Sequence, residues 1–161
     1  KRQHQNILTI VDGNGKIIRG ENMYRYKVEV TRIVDGDTVD VDVDLGFGMI
    51  YKKQRVRMMG IDTPESRTRD LEEKFYGKAS KAHLVSKLEG KEVQLVSHDK
   101  GKFGRILGEL FIDDNPISVN QQMIDEYHAV PYLGQSKDDT EQGHLWNRAI
   151  LNEQGITYIA D

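Results

Sequence analysis

Asp35-Gly36-Asp37-Thr38-Val39-Asp40-Val41-Asp42-Val43-Asp44 is the stretch whose reading decides the fold. Val39, Val41 and Val43 alternate with Asp40, Asp42 and Asp44 at period two, so one face of a strand is apolar and the other acidic. The three aspartates imitate the start of a calcium-binding EF-hand loop. Gly46 falls one place late, however, and Tyr51 stands where the bidentate glutamate belongs, so they read as a solvated strand face.

Working outward, the strand pattern reaches back to Tyr24 and on to Leu45, and a second strand from about Ile50 to Met59 follows the Gly46-Phe47-Gly48 turn. Leu71, Phe75, Ala79, Ala82, Val85 and Leu88 recur every three or four residues before Gly90, which predicts an amphipathic helix from Asp70 to Glu89. Glu92 to Ser97 and Arg105 to Ile112 read as strands joined by a polar loop, His98 to Gly104. Ser118 with Gln121 has the spacing of a capping box for a helix through about Tyr127, and Leu145, Ala149 and Ile150 mark a last helix from Thr140 to Asn152. Upstream, Ile7 to Val11 and Lys16 to Arg19 flank Asp12-Gly13-Asn14-Gly15, a hairpin signal. That segment reads either as an added hairpin or as the tail of an upstream domain. Patterning alone gives an α+β fold.

The chain has 161 residues, enough for one domain with a real core. Its net charge is -3 with 30% charged residues, so any affinity for a polyanion must come from local clusters and a bound cation. There is no cysteine, which excludes disulfides and thiolate metal sites and leaves the redox compartment open. No apolar run approaches about 18 residues, so no helical membrane span is expected and the chain is expected to be soluble, within the cell or as a secreted mature form. Its five histidines show no metalloprotease spacing, and Ser97-His98-Asp99 is consecutive, so its side chains diverge and form no triad.

The chemistry-bearing residues lie in three places: Asp35-Gly36-Asp37-Thr38, Arg57 followed by Asp62-Thr63-Pro64-Glu65, and Gly104-Arg105. Pro64 fixes its own φ and pushes Thr63 towards an extended conformation, a rigid corner that can hold two acids at different distances from one ion. The arginines present planar forks to phosphate oxygens and stay charged at any working pH. This is the charge kit of a metal-assisted attack on a phosphodiester.

In order and spacing these residues resemble the staphylococcal nuclease (thermonuclease) family, in register from about Tyr26 to about Asn152. The resemblance implies a five-stranded OB-type β-barrel with about three helices, occupying residues 24–161, after an N-terminal extension over residues 1–23. It implies a calcium-dependent nuclease acting on DNA and RNA with little sequence preference, leaving 3′-phosphate and 5′-hydroxyl ends. Asp37, Asp62 and the backbone oxygen of Thr63 would hold Ca2+, Glu65 would take a proton from the attacking water, and Arg57 and Arg105 would hold the phosphate charge. The expected substrates are single-stranded DNA, RNA and A·T-rich duplex, and the expected state is a monomer with no membrane partner.

The alternative is a non-catalytic domain of the same fold that binds nucleic acid or protein; such domains typically lack the acids or arginines present here. Against the family pattern, the loop from His98 to Gly104 is short and Phe103 stands where a tyrosine often precedes Gly-Arg, removing a phenol that could bond a phosphate. Tyr132 matches either a base-stacking aromatic or a plain surface residue. Lys52, Lys53, Arg55 and Arg57 form a basic strand edge that either tracks a phosphate backbone or guards against aggregation.

Overall fold

A computed structural model describes residues 10–11, 17–19, 24–100 and 104–160. Strands β1 (Ile10–Val11) and β2 (Ile17–Arg19) pair antiparallel in a sheet of their own, while the Asp12-Gly13-Asn14-Gly15 turn expected between them lies outside the described residues. There follow β3 (Tyr24–Asp35), β4 (Thr38–Gly46), β5 (Met49–Met58) and the two-residue β6 (Ile61–Asp62). Helix α1 (Leu71–Leu88) precedes β7 (Val93–Lys100) and β8 (Ile106–Ile112), and α2 (Val119–Asp125), β9 (Val130–Pro131) and α3 (Lys137–Glu153) follow. Five of these strands close a barrel in the order β3-β4-β5-β8-β7. This is the expected α+β, OB-type architecture, with three helices among the described residues. Among the described residues no helix is long and apolar enough to cross a membrane.

The period-two reading of β4 holds. Val39, Val41 and Val43 point into the core with Val56, Met58, Leu95 and Leu110, each buried side chain contributing roughly 1.5–3 kcal/mol. Asp40, Asp42 and Asp44 face outward but are not left to water alone. Asp40 binds Arg55 through two bonds of 2.8 and 3.1 Å, Asp42 accepts the Lys53 N–H, and Asp44 caps the turn at the Gly46 N–H.

Barrel closure depends on one parallel pairing, Val56 to Ile106 and Arg57 to Leu107, between β5 and β8. Buried Asn120 on α2 fastens it: its Nδ2 donates to Met59 O (2.8 Å) and Gly108 O (3.2 Å), and its Oδ1 accepts the Leu110 N–H (3.1 Å).

Several boundaries move. β7 runs through His98 to Lys100, so that stretch is strand rather than loop, and His98 pairs with Glu109 across to β8 at 2.7 Å. Ser118 caps α2 as expected, accepting the Gln121 N–H, but the Gln121 side chain bonds Asp125 instead of completing the box, and the helix ends at Asp125. Ser136 caps α3, which starts three residues earlier than the apolar pattern suggests.

The buried face of α1 differs from the apolar stripe. Tyr76, Gly77, Ser80, Leu84 and Leu88 are buried, whereas Leu71 is 62% exposed. Close approach decides this face. A Cβ on Gly77 would lie 2.4 Å from the Glu65 carbonyl oxygen, and one on Gly36 would lie 2.8 Å from the Ser80 Cβ. Small residues let α1 press its backbone against both the Asp35–Asp37 turn and the Glu65 corner, and larger apolar residues could not. The last helix shows the same shift: His144 and Leu151 are buried while Leu145 is 44% exposed.

Candidate active site

The β3–β4 turn, the end of β5 and β6 bring the acids together. Thr38 pairs with Arg57 across the ladder, and the Met58 N–H bonds the Asp37 carbonyl at 2.8 Å, so the Asp37 carboxylate lies beside the Arg57 guanidinium. Arg57 Nη2 is 3.4 Å from Asp37 Oδ2 and 3.6 Å from Asp62 Oδ1, and its Nη1 donates to Met58 O at 2.9 Å. One guanidinium therefore stands between two carboxylates that would otherwise repel each other. Asp37 is itself buried, with the Thr38 hydroxyl donating to Oδ1 at 2.9 Å and the Thr63 N–H to Oδ2 at 3.3 Å.

Asp62 is positioned from the other side. β6 pairs with β9, Asp62 opposite Val130, and α3 packs behind, so that His144 Nε2 donates to Asp62 Oδ2 at 2.8 Å.

Glu65 follows the Pro64 corner with its side chain towards solvent. Its carboxyl is held above the ordinary glutamate range, first by partial loss of hydration and then by the negative charges of Asp35, Asp37, Asp62 and Glu73. The same corner is tied down by a Ser66 hydroxyl bond to the Asp35 carboxylate. Four acids thus act on one carboxyl, the condition in which a cation or a proton is taken up.

Arg105 lies immediately before β8, two residues ahead of Leu107, the partner of Arg57 in the parallel pairing. Its Nε is buried without a hydrogen-bond partner among the described residues. A buried guanidinium N–H left unpaired is costly, and an anionic ligand would satisfy it. Phe103 lies outside the described residues. Tyr132 is 43% exposed and its N–H bonds Gly60 O at 2.8 Å, just before β6. Of the basic strand edge, Arg55 and Arg57 are engaged with aspartates.

No group of three or more His, Cys, Asp or Glu side chains is arranged to hold a metal ion among the described residues. The donors at hand are two carboxylates, Asp37 and Asp62, and the Thr63 carbonyl. This all-oxygen set suits a hard cation with coordination left for other oxygens.

Asp35, Ser66, Gly77 and His144 belong to the arrangement although sequence reasoning gave them no role. Asp35 stands at the head of the Asp-Gly-Asp-Thr motif, where its carboxylate could have been counted; His144 is 82 positions from its partner, and nothing local marks it.

The staphylococcal nuclease homologue family matches residues 55–150, which include Arg57, Asp62, Thr63, Glu65 and Arg105, with Asp37 upstream of the match. An uncharacterized endonuclease of Escherichia coli is 30% identical over 130 residues, covering 74% of this chain and 76% of its own. Thermonuclease of Staphylococcus intermedius is 26% identical over 161 residues, covering 88% and 89%. An uncharacterized protein of Bacillus anthracis is 37% identical over 112 residues, and the chain spans about half (48%) of that relative's length. The family match covers more than half of the chain, and the chain belongs to the staphylococcal nuclease homologue family.

Proposed function

We propose that this chain is a calcium-dependent nuclease hydrolysing phosphodiester bonds of DNA and RNA with low sequence specificity. The observation that carries the reading is the meeting of Asp37 and Asp62 across Arg57, with Glu65 at the adjoining corner. Asp37, Asp62 and the Thr63 carbonyl are the residues that would hold Ca2+. Bound calcium would supply a positive charge and Lewis acidity towards a phosphate oxygen.

In this mechanism Glu65 takes the proton from a water whose oxygen attacks phosphorus in line. Arg57 and Arg105 hold the equatorial oxygens as charge builds on phosphorus. The bond from phosphorus to the 5′-oxygen breaks, and that oxygen leaves with a proton from solvent. The products are a 3′-phosphate and a 5′-hydroxyl. Single strands and A·T-rich duplex are the preferred substrates, because bases must open before a strand can lie in a barrel groove, and the chain acts as a monomer.

The test is incubation with labelled single-stranded DNA in calcium and then in EGTA, with the ends read by mass spectrometry. Cleavage confined to calcium, giving 3′-phosphate ends and reduced by Asp37→Asn or Asp62→Asn, is the expected result. Binding without cleavage would favour the non-catalytic module, and predominant 5′-phosphate ends would overturn the role given to Glu65.

A further inference from the structure

Beside the Glu65 corner lies a groove of about 520 Å³ whose lining is basic or hydroxylic throughout: Arg67, Arg69, Lys74, Lys78 and Lys81, with Ser66 and Thr68. In a chain of net charge -3 this is a local reversal of sign. None of the five cations forms an ion pair among the described residues, although Asp and Glu outnumber Lys and Arg in the chain as a whole.

Lys74, Lys78 and Lys81 share one face of α1 at helical spacing, and Arg67 and Arg69 face them from the loop that follows Glu65. Like charges three or four apart weaken a helix, so the row carries a standing cost that bound anions would relieve. The groove is also fixed relative to the site. Gly77, on the same helix, touches the Glu65 carbonyl, and Ser66, which lines the groove, is bonded to Asp35.

We propose that this groove is a second track for nucleic acid, binding phosphates of the same strand at a distance from the bond that is cut. The proposal rests on the nuclease reading for the identity of the polymer. Its physical content is separate: several phosphates bound by cations that take no part in the chemistry. A row of cations on one helix face suits a repeating polyanion better than a single small anion, because each lysine is an isolated point charge on a flexible stem.

The experiment uses this chain carrying Glu65→Gln, so that cutting is slowed by about 10²–10⁴ during the measurement, and compares it with the same chain also carrying Lys74→Gln, Lys78→Gln and Lys81→Gln. Fluorescence anisotropy with a labelled 20-nucleotide single strand and with a dinucleotide is followed across salt concentration. Every phosphate that the variant no longer neutralises should reduce the slope of log K against log[salt] by about 0.7, so removing three lysines should reduce it by about 2 for the long strand. Dinucleotide affinity should stay within about twofold, as expected if these cations lie outside the cutting site.

An unchanged slope, or an equal loss for dinucleotide and long strand, overturns the track. Tighter binding to phosphatidylserine vesicles than to the strand, lost in the triple variant, would assign the groove to a membrane surface and overturn it too. Arg67→Gln with Arg69→Gln removes charge from the loop while leaving α1 intact, and should reproduce the effect if a helix defect is not its cause. Cleavage by the chain with native Glu65 is measured separately. Strand binding through the groove without any cleavage sinks the nuclease reading and keeps the track, whereas cleavage with an unchanged slope sinks the track alone.

Discussion

His144 Nε2 donates to Asp62 Oδ2 at 2.8 Å, joining the last helix to a carboxylate at the centre of the candidate site. The histidine is buried, and the other oxygen of the same carboxylate faces Arg57 at 3.6 Å, so both edges of Asp62 are held before any ligand arrives. Partners that orient a metal-binding carboxylate typically affect affinity by about 10- to 100-fold. His144→Ala should therefore weaken calcium binding, read by titration calorimetry, by about that factor, with His144→Gln recovering part of it. Unchanged calcium affinity in the alanine variant would leave His144 as packing alone.

In the proposed mechanism Glu65 acts through its charge and its basicity, both of which the isosteric amide removes while keeping the shape of the side chain. Glu65→Gln is expected to lower kcat by about 10²–10⁴ with little change in KM. A raised KM with native kcat would move Glu65 from proton transfer to substrate binding.

The two arginines should fail differently. Arg57 spans two carboxylates and a carbonyl, so Arg57→Lys should lower both the thermal midpoint and the rate. Arg105, whose Nε has no partner among the described residues, has less internal bonding to lose. Arg105→Lys should keep a midpoint near the native one while kcat falls by about 10²–10³. Calorimetry beside steady-state kinetics separates the cases; equal behaviour of the two variants would refute the distinction.

Stability should fall on mild acidification. Burial, and then the neighbouring His83 ring stacked 4.1 Å away, push the His128 imidazole down from 6.5 to about 4. Between those values the unfolded chain takes up a proton that the folded chain refuses. Stability is therefore unaffected by His128 above about pH 6.5 and declines below it, by up to about 1.4 kcal/mol per pH unit. Burial works upward on the Glu126 carboxyl, but the bonds from Lys87 and His83 outweigh it and hold the group below its usual range, which adds to the loss at lower pH. His128→Gln should flatten the decline between pH 6.5 and 4 in urea titrations; a slope equal to that of the native chain would show that other groups cause it.

What could be read from the chain and what could not divides by distance. The aspartates at 35 and 37 and the run from Arg57 to Glu65 are contiguous or nearly so, and the turn and corner that display them are written in Gly36 and Pro64. The same holds for α1, whose start at the Asp70 cap and stop before Gly90 are local features. Its buried face was not legible, because Gly77 and Ser80 are chosen by backbones that approach from Glu65 and Gly36 rather than by their own hydrophobicity. The pairing of β6 with β9 involves two residues on each side, too few for any period to show. The place of Arg57 in the motif makes it an expected phosphate ligand, but its position between Asp37 and Asp62 appears only when the strand ends meet.

The single parallel pairing of β5 with β8 also governs when the site can exist. Parallel contacts between distant segments form late, after the entropy of the intervening chain has been given up. During synthesis Asp37, Arg57, Asp62 and Glu65 emerge before Arg105, and α3 with His144 emerges later still. A nascent or partly opened chain therefore carries the acids without the second arginine and without the histidine that steadies Asp62. The candidate site as described needs the closed barrel, so the proposed cutting capacity should appear together with closure of the β5–β8 seam and be lost when that seam first opens.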